Sequence, residues 1–250
     1  MIVIHFESVT HMQPPLPGCA RPELKPSKSA ALSINEVSCK SLLSRSGISG
    51  VDFCINPYTG CLHNCIYCYA IYMRRYSGHR ENWGQFVDIK INAVPILRKE
   101  LLKTVPGLVM LSTVTDAYQP LEKKYQITRA CLEELSKTNF TVTILTKSDL
   151  VLRDIDLLKK CQTEDVGFTI TTPDEEIRRK FEPYSSSTER RLAALRKLAE
   201  SGLRTFVFFG PVLPYFSDRE EKIEALFQKL KDAKEYELIA PKDKIKDQRY

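Results

Sequence analysis

The chain has 250 residues, 43% of them hydrophobic and 27% charged, with a formal net charge of +6. This composition is ordinary for a globular protein that can bury a core without covalent staples. With no run of eighteen apolar residues, no membrane span is predicted.

Residues 1 to about 35 are rich in proline and polar side chains and read as a linker or an arm. MIVIHFESVTHM lacks a basic n-region and a cleavage site, so no signal peptide is predicted. EVSCKSLLSRSG, 36–47, predicts a short helix ending at Gly47. VDFCI (51–55) predicts a strand, broken by Pro57 and Gly60. AIYMRRY predicts a helical segment ending near Gly78.

From there strands and helices alternate. FVDIKI (86–91), LVMLSTV (108–114), FTVTILT (140–146), VGFTIT (166–171) and LRTFVFFG (203–210) are apolar or β-branched runs, as for strands covered on both faces. Between them lie helical periods, such as Ile127, Ala130, Cys131 and Leu135, and after the last strand Ile223, Leu226, Phe227 and Leu230. Ser187 or Thr188 is the expected cap of STERRLAALRKLAESG, and Gly202 its stop. Six βα units imply parallel strands with right-handed crossovers, in an open partial barrel or a doubly wound sheet. The expected organisation is an N-terminal extension (1–47), a core (48–235) and a tail (236–250) that includes the solvated KDKIK run.

In either architecture ligands bind beyond the carboxyl ends of the strands. NPYTGCLHNCIYCYA lies there, after the first strand. Cys61, Cys65 and Cys68 fall within eight residues in a C-x3-C-x2-C spacing, flanked by Tyr67 and Tyr69, while Cys19, Cys39, Cys54, Cys131 and Cys161 are scattered. This layout suits a metal site in a reducing, cytoplasmic compartment rather than disulfides. Three thiolates can hold three irons of a [4Fe–4S] cluster and leave one iron open for chemistry. The alternative is a zinc site completed by Cys54 or His63, within a non-catalytic, metal-stabilised nucleic-acid-binding module. His63 itself reads as a solvent-facing or hydrogen-bonding residue. Ser112, Thr113 and Asp116 end the third strand, Lys147 the fourth, Thr171 the fifth and Gly210 the sixth. Ser112 and Asp116 are candidate contacts for a bound cofactor. Glu182 and Arg190 read as surface or capping residues. No G-x-G-x-x-G fingerprint or P-loop follows any strand.

The cysteine motif, placed after the first of six βα units, resembles the radical S-adenosylmethionine (SAM) superfamily. TDAYQPLEKKYQITR, TILTKS, FTITTPD and RRKFEPYSSSTERRLAALRKLAESG extend the likeness, from about Lys40 to about Ala233, to its spore-photoproduct-lyase-like, or DNA-repair-photolyase-like, branch. The resemblance implies a partial (β/α)6 TIM-like barrel, a [4Fe–4S] cluster on Cys61, Cys65 and Cys68, and SAM on the fourth iron. It implies reductive cleavage of SAM to a 5′-deoxyadenosyl radical that abstracts hydrogen from a substrate, with nucleic acid a candidate, and an electron donor of flavodoxin or ferredoxin type. It places Lys147 and Thr171 at the amino-acid end of SAM, Gly210 along the adenosyl part, and Tyr67 and Tyr69 in a hydrogen relay. Thr113 stands near the position where the lyases carry a hydrogen-donating cysteine. The thymine-dimer reaction of the spore enzymes is therefore not expected. No pattern in the chain specifies a substrate or an oligomeric state.

Overall fold

The computed structural model describes residues 32–231 and the strand Glu237–Ile239. The chain divides into two units, 1–30 and 31–250, and the described residues belong to the second. The expected arm over residues 1–31 and the charged run at 242–246 lie outside the described residues.

In chain order the elements are β1 (Ser33–Val37), β2 (Leu43–Arg45), β3 (Phe53–Ile55), β4 (Tyr58–Thr59), a 3-10 turn (Tyr69–Met73) running into α1 (Arg74–Ser77), β5 (Phe86–Lys90), α2 (Ala93–Leu101), β6 (Leu108–Leu111), α3 (Glu122–Tyr125), α4 (Ile127–Leu135), β7 (Thr141–Thr146), a 3-10 turn (Asp149–Asp154), α5 (Ile155–Leu158), β8 (Gln162–Ile170), α6 (Glu175–Phe181), α7 (Thr188–Glu200), β9 (Thr205–Phe209), α8 (Glu220–Lys231) and β10 (Glu237–Ile239).

The principal sheet has the order β10-β9-β8-β7-β6-β3-β2. Its strands are parallel from β3 to β10, with Cys54 opposite Met110, Ile144 opposite Val166 and Phe168 opposite Val207, and only β2 is antiparallel. Successive parallel strands lie side by side, so each crossover carries the chain one strand onward, the winding of a partial TIM-like barrel. Val109, Val142, Ile144, Val166, Phe168 and Val207 have no exposed surface. Their cover comes from apolar stripes on the helices, including Leu97 and Leu101 of α2, Leu132 and Leu135 of α4, and Leu192, Leu195 and Leu198 of α7.

The structure departs from the sequence-based expectation in two places. The helix expected over 36–47 is instead part of β1 and the whole of β2. Distant residues supply the hydrogen bonds a helix would have made locally. The Glu100 carboxylate accepts from the Leu42 and Leu43 amides (3.0 and 2.8 Å), and the Asn92 side chain spans the Cys39 amide and carbonyl (2.8 and 2.9 Å). Second, the strand expected at 86–91 leaves the principal sheet. As β5 it is the middle of a three-stranded sheet, parallel to β1 and antiparallel to β4. β4 is the start of the cysteine loop, so this small sheet holds the loop's entrance.

Candidate active site at the cysteine loop

The loop leaves β4 through Gly60, whose φ of +89° suits glycine. A Cβ there would stand 2.3 Å from the Phe86 carbonyl oxygen, so only glycine lets the loop pass this close to β5. The Gly60 carbonyl accepts from Thr115 Oγ1 (2.6 Å) and Gln119 Nε2 (3.3 Å), and Gln119 Oε1 accepts from the Leu62 amide (3.0 Å). Gln119 is fully buried, so its amide is a fixed template for the first turn of the loop.

His63 is buried, not solvent-facing. Its Nδ1 lies 3.2 Å from the Tyr184 carbonyl and its Nε2 3.3 Å from Asp116 Oδ2. Asp116 also accepts from the Tyr118 amide, the Thr146 hydroxyl and the Lys147 amide, at 2.7 to 2.9 Å. Burial acts to raise its pKa, but His63 and these donors win and hold the carboxyl well below the usual range. Both oxygens are taken by protein, so Asp116 works by joining the loop to the end of β7.

The three thiols follow. Cys61 is buried, and Cys65 and Cys68 are partly so. Burial raises all three pKa values, that of Cys65 to about 12, while the Lys147 charge opposes the rise at Cys65 and Cys68. The Cys68 N–H bonds back to the Cys65 carbonyl (3.1 Å), and the Ile66 N–H ties the loop to the Phe181 carbonyl at the end of α6 (3.0 Å). Trp83, from the turn before β5, packs with Cys61, Cys68 and Ala70.

The strand ends supply the rest. Lys147, at the end of β7, points its ammonium at the Tyr67 ring, 5.7 Å from the centroid. The Tyr67 hydroxyl donates to Glu182 Oε1, and the Thr171 hydroxyl reaches the same oxygen at 3.1 Å. Glu182 is therefore not a surface residue. It has no exposed surface and pairs through Oε2 with Arg191, itself fully buried. Burial alone would raise the Glu182 pKa, yet Arg191, Lys147 and the hydrogen bonds hold it at about 2. Arg190, by contrast, is two-thirds exposed and pairs with Asp149 (2.8 Å), a surface pair worth about 0–1 kcal/mol.

Tyr69 is 66% exposed, and its hydroxyl donates to the Thr113 carbonyl. Asn56 fixes Thr113 from the other side, its Oδ1 accepting from the Thr113 amide (2.9 Å) and its Nδ2 lying 3.3 Å from the hydroxyl. Ser112 is held at φ +70°, an uncommon conformation for a residue with a Cβ, and its buried hydroxyl has no partner. A Cβ on Gly210 would lie 2.6 Å from the Phe208 ring, so that ring crosses the backbone where a side chain would project. Sequence reasoning missed Asn56, Trp83, Gln119 and Arg191. Arg191 alone carried a signal, because the helical spacing Arg191, Leu192, Leu195, Leu198 puts it on an apolar face.

Residues 55–227 match the radical SAM superfamily, and the chain belongs to that superfamily. Within it, the fold is that of spore photoproduct lyase. The complex of that enzyme with a dinucleoside spore photoproduct aligns at a TM-score of 0.64 and 21% identity, over 80% of this chain and 57% of the lyase. An uncharacterized protein of Methanocaldococcus jannaschii is 36% identical over 189 residues, covering 76% of this chain and 71% of that one. A radical SAM Nalpha-GlyT isomerase of Pseudomonas phage M6 is 24% identical over 177 residues, 70% of this chain and 36% of the isomerase.

The superfamily implies a [4Fe–4S] cluster and SAM. The donor set fits the cluster: three thiols stand within eight residues on one loop, and a bound metal would hold them as thiolates against the burial that disfavours their charge. The unpartnered indole N–H of Trp83, in the cluster with Cys61 and Cys68, suits a charged sulfur. Among the described residues no three His, Cys, Asp or Glu side chains are grouped to hold a metal ion. Cubane ligands bind different irons and need not converge as the ligands of one ion do. The unpartnered Ser112 hydroxyl and the Lys147 ammonium, both at strand ends, suit a polar cofactor. Among the described residues no helix is long and apolar enough to cross a membrane.

Proposed function

We propose that this chain is a radical SAM enzyme that holds a [4Fe–4S] cluster through Cys61, Cys65 and Cys68 and binds SAM against Lys147, Thr171, Ser112 and Gly210. The observation that carries the reading is the grouping of Cys61, Cys65 and Cys68 on one loop with the Lys147 ammonium held 5.7 Å from the ring of Tyr67, which lies between the last two in the chain. When bound, the pair of cofactors supplies reductive cleavage of SAM and hydrogen abstraction from a substrate, with electrons from a flavodoxin- or ferredoxin-type donor. The chain's own residues set the conditions. Buried apolar neighbours exclude water from the thiols. Lys147 offers a point charge to a carboxylate, and the Thr171 hydroxyl offers its free lone pairs to an amine. Glu182 fixes Tyr67 and Thr171 through one oxygen. The Thr113 carbonyl anchors Tyr69 at the exposed lip.

The proposed substrate class is nucleic acid. Beside the loop, Tyr72 and Tyr76 are exposed (43% and 77%) and Arg75 and Arg80 are exposed with them. Stacking faces interleaved with cations suit unpaired bases and phosphates. A related fold binds a dinucleoside photoproduct, which supports the same class. Thr113 in place of the lyase cysteine argues for a product other than repaired thymine dimers.

Anaerobic reconstitution tests the reading. About four irons per chain are expected, together with methionine and 5′-deoxyadenosine when SAM and dithionite are added, and none after Cys65→Ala. UV-damaged DNA, undamaged DNA and RNA offered in parallel identify the substrate by a rise in that yield. A fully loaded, reduced protein that leaves SAM intact refutes the proposal.

A further inference from the structure

Trp83 is the single tryptophan of the chain and is 7% exposed. Its ring meets Phe86 edge to face, with centroids 5.8 Å apart. Phe86 is in turn stacked by His79 at 4.1 Å, and His79 is pinned by Asp88 (2.9 Å) and Glu81 (3.2 Å). The indole is thus clamped, and one of its faces or edges lies in the small cluster that contains Cys61, Cys68 and Ala70.

Its Nε1–H is buried and makes no conventional hydrogen bond. An indole can only donate, so this proton needs an acceptor or remains a cost to the fold. The sulfurs beside it are those of Cys61 and Cys68, which pack in the same small cluster. A neutral thiol is a weak acceptor; a thiolate on iron is a far better one. The pocket is therefore better satisfied with charged sulfur than without it.

We propose that Trp83 is a positioning residue whose indole N–H donates to a sulfur of the loop cysteines packed with it, Cys61 or Cys68, in the loaded protein and raises the reduction potential of the cluster. The inference rests on the reading of Cys61 and Cys68 as cluster ligands. A donor at the sulfur draws negative charge from the cluster, and it stabilises the reduced state more than the oxidised one because the reduced state carries the extra electron.

Two measurements test it. Trp83→Phe keeps an aromatic ring and removes the N–H. Reconstituted Trp83→Phe is expected to keep about four irons. Its midpoint potential, followed by electron paramagnetic resonance, is expected to fall, so that the reduced-to-oxidised ratio at a fixed potential drops by roughly threefold or more, given the strength of hydrogen bonds to charged groups. An unchanged midpoint with full iron overturns the proposal while leaving the ligand reading intact. Should the variant fail to load, the native protein answers through its one indole resonance. With 15N-labelled tryptophan, loading is expected to shift that N–H signal and slow its exchange with D2O. A signal unmoved by loading overturns the proposal. Failure of the native chain to take up iron overturns the cluster reading itself.

Discussion

Removing the Arg191 side chain should be among the costliest single changes in this protein. In Arg191→Met the methylene stem is kept and the guanidinium is lost. The guanidinium now donates to the carbonyls of Ser186 (2.8 Å) and Thr169 (2.7 Å), to Ser185 Oγ and to Glu182 Oε2, with neither ionic partner exposed. Breaking a buried pair from one side leaves an uncompensated charge and costs about 3–5 kcal/mol. For a domain of this size that corresponds to a fall in Tm of roughly 6–20 °C. Glu182→Gln in the same background removes the stranded charge and should recover much of the loss, giving a large coupling energy in a double-mutant cycle. The pH dependence has a definite sign. In the native protein the Glu182 carboxyl, held at about 2, contributes stability above the unfolded carboxylate range that is lost as pH falls toward 2. Without Arg191, burial is left as the dominant influence and raises that pKa. The deficit of Arg191→Met should then be full at pH 7 and smaller near pH 4. Urea denaturation followed by circular dichroism at both values is the assay. A loss below about 1 kcal/mol at pH 7, or a deficit that grows on acidification, would refute the reasoning.

His79 lies between Asp88 and Glu81, and although burial opposes its charge, these bonds raise its pKa above the usual histidine value. Its contribution to stability should be complete below about pH 6.5 and disappear as pH rises through the folded value. His79→Gln should accordingly cost more at pH 6 than at pH 9, and an NMR titration midpoint at or below the ordinary value would contradict this. Gly60→Ala must place a Cβ against the Phe86 carbonyl at φ +89°, whereas Gly50→Ala at φ +79° meets open space. The first should cost clearly more than the second, whose strain is of the order of 1–2 kcal/mol, and equal midpoints in urea would mean that the loop gives way at Gly60.

The parts of the fold legible in the sequence are those that local pattern determines. β6, β7, β8 and β9 announce themselves as apolar runs because both faces are covered, and the cysteine loop announces itself by spacing. What failed depends on partners far along the chain. Leu42 and Leu43 look helical beside Val37 and Cys39 until Glu100 takes their amides. β5 reads as one more strand of a barrel, and nothing local says that its edges go to β1 and β4. Glu182 sits at the end of a charged run that reads as surface, and only the buried face of α7 reveals its cation. Asp116 was legible as a residue at a strand end, but its use depends on His63 and Lys147, 53 and 31 residues away, meeting on one carboxylate.

That carboxylate has a mechanical meaning. Asp116 ties the loop between the first two cysteines to the backbone of Lys147, so a displacement at one is transmitted to the other through a single rigid group. The distance between the loop cysteines and the strand-end cation is thereby set by one loop acting as a spacer, and cannot be tuned from either side alone. The segment 71–80, with its exposed tyrosines and arginines, has no share in that spacer. Under the proposed function, its exposed Tyr72, Arg75, Tyr76 and Arg80 can be exchanged to meet a different target provided that His79, which stacks on Phe86 behind Trp83, is kept.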